Sequence, residues 1–137
     1  MTGLLAGRCI LAVEDEMLVL MDIETALEDL GCSTICSAAS VAEALAFIAE
    51  QCFDAAILDV NLGGGKSYPV ADALARLGVP FVFSTGYSDH GDRVDLEDRP
   101  ILRKPYTREA LCAAFARMIS DEPLLAKTTT VENGAIK

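Results

Sequence analysis

The stretch Phe53-Asp54-Ala55-Ala56-Ile57-Leu58-Asp59-Val60-Asn61-Leu62-Gly63-Gly64-Gly65 decides the fold. Ala55 to Leu58 run small or apolar without a charge and stop at a lone carboxylate, Asp59. A short run of this kind suits a strand buried on both faces. The glycines behind it mark a sharp turn or a close approach to the backbone. A carboxylate at the C-terminal end of a buried parallel strand stands where open α/β sheets place their ligand sites. Alone, Asp59 is better explained as a turn-forming residue. The way the neighbouring strands end decides between the two.

Working outward, Arg8 to Val13 reads as a first strand and runs into Glu14-Asp15-Glu16. Met17 to Leu30 carries a helical apolar face at Leu20, Ile23, Leu27 and Leu30, closed by Gly31. Ser33 to Ser37 is a weaker second strand. Ser40 with Glu43 forms a capping box for a helix whose inner side holds Val41, Ala44, Leu45 and Ile48. Beyond the glycine loop, Ser67 reads as an N-cap with Pro69 in the first turn. Val70, Ala73, Leu74 and Leu77 form the buried face of that helix, and Gly78 and Pro80 end it. Phe81 to Ser84 is the fourth strand and closes on Thr85-Gly86-Tyr87. Ser88 to Asp98 is polar, so any helix there is short. Ile101 to Arg103 is the fifth strand, followed by Lys104-Pro105. Thr107 caps a last helix with Leu111, Phe115 and Met118 inward. Strands alternating with helices through short loops imply an α/β fold, a parallel sheet covered on both faces. Residues 1–7 read as an N-terminal extension, 8–119 as one domain and 120–137 as a mobile tail.

Composition narrows the function. The 137 residues suffice for one domain, and the 52% hydrophobic content argues for a compact core. A formal charge of -10 disfavours binding to nucleic acid, which needs clustered Lys and Arg. No apolar run reaches the roughly 18 residues of a membrane span, and no basic leader precedes Leu4-Leu5. The five cysteines lack a C-x-x-C pair and read as reduced, mostly buried residues of a cytoplasmic protein. His90 carries no assignment.

The strand ends form a constellation. Strand one ends in Glu14 and Asp15, strand three in Asp59, strand four in Thr85 and strand five in Lys104. In a parallel sheet these lie on one edge. Three carboxylates there cannot all ionise cheaply without positive charge. Oxygen ligands without His or Cys suit a hard cation, Mg²⁺. Lys104 and Thr85 supply a cation and a hydroxyl donor for a tetrahedral phosphoryl group, leaving Asp59 as its acceptor. Rival readings fit less well. Gly64-Gly65-Lys66-Ser67 is not a phosphate-binding loop, because that motif needs glycine where Val60 stands. An aspartate-nucleophile phosphatase of the haloacid dehalogenase type wants a second Asp where Asn61 stands. A flavodoxin-like cofactor site would meet carboxylates where FMN phosphate needs hydroxyls.

The chain resembles the receiver domain of two-component response regulators over residues 8–119, through Val13-Glu14-Asp15-Glu16, Ile57-Leu58-Asp59-Val60-Asn61, Ser84-Thr85-Gly86 and Arg103-Lys104-Pro105. The resemblance implies a doubly wound (βα)₅ flavodoxin-like sheet of strand order 2-1-3-4-5. It implies that Asp59 accepts phosphate from a histidine kinase or histidine phosphotransfer protein. Asp15, Asp59 and the Asn61 carbonyl would bind Mg²⁺, with Glu14 holding a metal-bound water. Thr85 would move to bond the phosphoryl group, Lys104 would pair with it, and the Lys104-Pro105 bond would be cis. Receivers of this kind catalyse only their own phosphorylation and dephosphorylation.

Departures matter. Many receivers place a switching Tyr or Phe three positions before the lysine, where this chain has Ile101. Phe83-Ser84-Thr85-Gly86-Tyr87 resembles the Phe-Ala-Thr-Gly-hydrophobic-Tyr motif of a receiver subset lacking that aromatic, with Tyr87 on the hydrophobic position and Ser88 on the tyrosine position; Tyr87, next to Thr85, is the candidate replacement. The expected protein is a stand-alone receiver signalling through a downstream protein target. A phosphorylation-independent adaptor, a relay intermediate and a phosphate sink stay open as alternatives, as does a homodimer formed on phosphorylation, for which no specific residue speaks.

Overall fold

The computed structural model describes residues 3–86 and 101–127, with side chains up to residue 119. Five parallel strands, β1 (Cys9–Val13), β2 (Thr34–Ala38), β3 (Ala55–Asp59), β4 (Phe81–Thr85) and β5 (Ile101–Arg103), lie in the order β2-β1-β3-β4-β5. The described helices are α1 (Met17–Asp29), α2 (Val41–Glu50), α3 (Tyr68–Arg76) and α4 (Arg108–Lys127). This is the expected doubly wound order. Tyr87, His90 and the short helix considered between β4 and β5 fall outside the described residues.

Alternation along the strands builds two cores. Side chains two residues apart on a strand share a face. Ile10, Ala12, Ala55, Ile57 and Val82 therefore meet Leu20, Ile23 and Leu27 of α1 and Leu111, Phe115 and Met118 of α4. Leu11, Val13, Ala56, Leu58, Phe81 and Phe83 point the other way, onto Ala44 of α2 and Val70 and Leu74 of α3. All five residues of β3 are buried, as a central strand sandwiched by helices must be. Burying each Leu, Ile or Phe of these layers contributes about 1.5–3 kcal/mol. Phe81 and Phe83 pack edge to face at 5.4 Å between ring centroids, and Tyr68 of α3 caps Phe83 at 6.3 Å.

Local signals set most helix ends. The Ser40 hydroxyl accepts the Glu43 N–H at 3.1 Å, while the Glu43 carboxylate reaches back to Ala39 N–H at 2.8 Å, one residue earlier than a capping box requires. Thr107 accepts the Ala110 N–H at 3.0 Å. Gly31, at φ +91°, closes α1.

Several expectations need correction. Ser67 occupies the N-cap of α3, but its hydroxyl makes no cap bond; it is buried with no hydrogen-bond partner. Leu45 and Leu77 are exposed rather than inward. Leu77 is the C-cap of α3, past the last helical turn that faces the sheet, and Ala71 is buried instead. Of the cysteines only Cys32 is buried, Cys52 is exposed, and all five are free. The last helix continues to Lys127, beyond residue 119 where the sequence suggests a mobile tail.

The N-terminal extension is part of the fold. Leu5 is fully buried in the α1–α4 core, and its N–H donates to the Leu30 carbonyl at 2.8 Å. A Cβ on Gly3 would lie 2.1 Å from that same carbonyl oxygen, so only glycine lets the chain pass. Leu5→Ala is expected to lower stability by about 2–5 kcal/mol in urea unfolding. Leu4→Ala, at an exposed position, should stay within about 0.5 kcal/mol of the parent. Equal effects would show that residues 3–6 do not hold the core.

Candidate functional site

The ladder bonds that close each strand also deliver its functional side chain. Glu14 N–H donates to Ala38 carbonyl at 3.0 Å, Val60 N–H to Ser84 carbonyl at 3.0 Å, and Lys104 N–H to Thr85 carbonyl at 2.8 Å. Each strand is thereby paired one residue beyond its end, which holds Glu14, Asp59 and Lys104 at the C-terminal edge of the sheet. Glu14 is 1% exposed and Asp59 4%, while Asp15 faces solvent.

Lys104 ties these ends together. Its Nζ lies 3.1 Å from Asp59 Oδ2 and 3.1 Å from Glu14 Oε1, with Glu16 Oε1 at 3.8 Å. The second Asp59 oxygen accepts the Asn61 backbone N–H at 3.2 Å, and Glu14 Oε2 accepts the Glu16 N–H at 3.2 Å. Carboxylate oxygens of Glu14, Asp15 and Asp59 all lie within 4.8 Å of one another. An oxygen-only donor set of three carboxylates, two of them buried, fits a hard divalent cation.

The glycine loop is shaped by this cluster. Asn61 bridges Lys66 in antiparallel fashion, and Leu62 N–H donates to Gly65 carbonyl at 2.9 Å. Gly63 sits at φ +76°, where a Cβ would stand 3.0 Å from Asp15 Oδ2. A side chain there would be strained and would crowd the carboxylate.

Burial and neighbouring charge both perturb the acid strengths here. Burial, then the neighbouring Asp59 carboxylate, push Glu14 from 4.5 up to about 7, with Lys104 opposing. Burial works against the Lys104 ammonium, but Asp59 and Glu14 outweigh it and raise its pKa. One ammonium is thus shared between two buried carboxyl groups.

Of the residues singled out in the sequence, Glu14, Asp15, Asp59, Asn61, Thr85 and Lys104 converge at this edge. Thr85 is buried and its hydroxyl has no hydrogen-bond partner. Ile101 stands at the start of β5, half exposed, away from the cluster. The Lys104-Pro105 peptide is cis, as expected.

Two further residues emerge only in three dimensions. A groove of about 570 Å³ opens beside Lys104, between α1 and the segment that starts α4, with Glu16, Val19, Ile23, Tyr106 and Leu111 among its walls. Glu16 also reaches toward Lys104, a role foreshadowed only by its adjacency to Asp15. Tyr106 lies two residues past Lys104, and nothing in its sequence neighbourhood marks it.

Comparison with known proteins bears on the family and the fold. The response regulator receiver domain family matches residues 10–116. The fold is similar to SdrG from Sphingomonas melonis Fr1, with 47% identity, 82% of this chain and 96% of that one covered, and a TM-score of 0.74. It is also similar to the BeF3-activated conformation of SdrG from Pseudomonas melonis Fr1, with 46% identity, 87% and 99% coverage and a TM-score of 0.70. A receiver domain protein from Clostridium thermocellum, 25% identical over 86% of this chain and 98% of its own, gives a TM-score of 0.76. No curated protein sequence matches.

The raised Glu14 pKa has a consequence for stability. Between pH 4.5 and about 7 the folded protein holds a proton that the unfolded chain has released. The contribution of Glu14 is therefore fully present below 4.5 and lost as pH rises toward 7. In metal-free buffer, Glu14→Gln should gain on the parent by roughly 1–3 kcal/mol between pH 5 and pH 8. Urea unfolding at both pH values checks this, and parallel profiles would show that Glu14 is not perturbed.

Proposed function

The chain belongs to the response regulator receiver family, and from that premise we propose that Asp59 accepts a phosphoryl group from a histidine kinase or phosphotransfer protein in a Mg²⁺-dependent reaction. The observation that carries this reading is the Lys104 ammonium, 3.1 Å from Asp59 Oδ2 inside a cluster of three carboxylates. An Asp59 oxygen attacks phosphorus, and the phosphorus–nitrogen bond of a phosphohistidine breaks. The imidazole nitrogen leaves with the electron pair and takes its proton from solvent.

Asp15, Asp59 and the backbone carbonyl of Asn61 are the groups that would hold Mg²⁺, with Glu14 acting through a water. When bound, the ion supplies the positive charge that lets a phosphoryl group approach this many carboxylates. The chain's own residues do the rest. Lys104 is placed to transfer its pairing from Asp59 and Glu14 to a phosphoryl oxygen. The Thr85 hydroxyl, buried and unpartnered, is a donor in waiting for another.

The partner surface adjoins the acceptor. Directly after Asp15 and Glu16, α1 exposes Met17, Leu18 and Met21 at 67%, 79% and 51%. Three large exposed apolar side chains on the helix that follows Asp15 and Glu16 support docking of the phosphodonor protein there. The net charge of -10 supports protein rather than nucleic-acid partners. Among the described residues no helix is long and apolar enough to cross a membrane. Output runs through protein contacts near β4, β5 and α4. Phosphorylation changes those contacts only insofar as the phosphoryl group binds one conformer better than the other.

Incubation with acetyl phosphate and Mg²⁺ is expected to add one phosphoryl group by intact-protein mass. The adduct should disappear when Mg²⁺ is chelated and in Asp59→Asn. An adduct that persists in Asp59→Asn, or none in the folded parent, contradicts the proposal.

A further inference from the structure

Ile101 offers no aromatic ring to report the state of Asp59, yet an aromatic stands near the site on the same connection. Tyr106 is divided in its environment. Its ring walls the groove beside α1, whereas its hydroxyl is buried and has no hydrogen-bond partner. Ser84, 0% exposed, is in the same condition. Ser84 lies two residues beyond Val82 on β4, hence on the face of the α1–α4 core against which Tyr106 packs, and it pairs in register with Leu102 of β5.

The two hydroxyls are neighbours. The Tyr106 phenol is raised chiefly by burial; the Ser84 hydroxyl acts in the opposite direction, and Glu14, Lys104 and Asp59 all reach the phenol electrostatically. Tyr106 therefore senses the same charges that surround the phosphoacceptor. Two buried hydroxyls that each lack a partner are an unfavourable arrangement, and each can both donate and accept. A small approach satisfies both.

The chain supplies the means of approach. Tyr106 is two residues from Lys104 through Pro105, and Ser84 is bonded to Thr85. Lys104 and Thr85 are the residues drawn to an incoming phosphoryl group. Resting on the assignment of Asp59 as acceptor, we propose that Tyr106 is a positioning residue that carries the state of Asp59 to the groove. It does so through a hydrogen bond to Ser84, open in the unphosphorylated protein and closed when Lys104 and Thr85 engage the phosphoryl group. Because the ring is a wall of the groove, closing the bond at its hydroxyl tilts that wall. The groove presented to a partner then differs between the two states.

The chain has three tyrosines, so fluorotyrosine labelling gives a spectrum of three ¹⁹F lines. Tyr106→Phe assigns its line and removes only a hydroxyl from the packing. Acetyl phosphate with Mg²⁺ is added, and the mass of the same sample is read. The Tyr106 line is expected to move in proportion to the adduct, to stay fixed in Asp59→Asn, and to move less than half as far in Ser84→Ala despite a full adduct. A full adduct with a stationary Tyr106 line overturns the proposal. So does an undiminished shift in Ser84→Ala, or a shift confined to Tyr87. Absence of any adduct overturns the Asp59 assignment itself, and the mass distinguishes that failure from the others.

Discussion

One ammonium among carboxylates is the constraint on which the structure turns. Lys104 reaches Glu14 and Asp59 at 3.1 Å each, and through them it joins the ends of β1, β3 and β5. A buried carboxylate without such a partner would be strongly disfavoured. With one partner shared between two, the arrangement stays costly: burial first and the Asp59 carboxylate second raise Glu14 to about 7, against the pull of Lys104. Below neutrality a proton on Glu14 relieves part of that cost; a divalent cation held among Glu14, Asp15 and Asp59 would compete for the same role. The resting site is thus held folded but electrically unfinished.

The scaffold exists to present that edge. β3 needs both faces dry, so it carries Ala55, Ala56, Ile57 and Leu58, and the first residue permitted a charge is Asp59. The same rule ends β1 at Val13 before Glu14. Small residues on β1 and β3 let two helices approach each face closely, and Phe81, Phe83 and Tyr68 fill the space under the site. Gly63 then folds the loop over Asp15 with no side chain to crowd it.

Much of this was legible in the sequence, and for physical reasons. Uninterrupted apolar runs identify buried parallel strands, and where each run stops is also where the functional side chain begins. Glu14, Asp15, Asp59, Thr85 and Lys104 could be read from those stops alone. Thr107 and Ser40 announced their helices because a cap is a local bond. Ser67 looked the same in sequence, yet its hydroxyl is buried without a bond. Leu45 and Leu77 matched helical periodicity but fall outside the arc that meets the sheet. Leu5 gave no periodic signal because a single side chain plugging the end of a core has none. Tyr106 was silent for a related reason: what distinguishes it is a hydroxyl set against Ser84 from another strand, and no spacing encodes that.

The central claim is that, of the three clustered carboxylates, Asp59 alone takes the phosphoryl group. Its backing is geometric: Asp59 is the buried carboxylate at the end of the central strand, positioned by both the Asn61 N–H and the Lys104 ammonium. Borohydride reduction of acetyl-phosphate-treated protein converts an aspartyl phosphate to homoserine, and peptide mass mapping locates it. The account predicts homoserine at position 59 and nowhere else. Reduction product at position 15, or its absence from a protein carrying the phosphoryl mass, would contradict it.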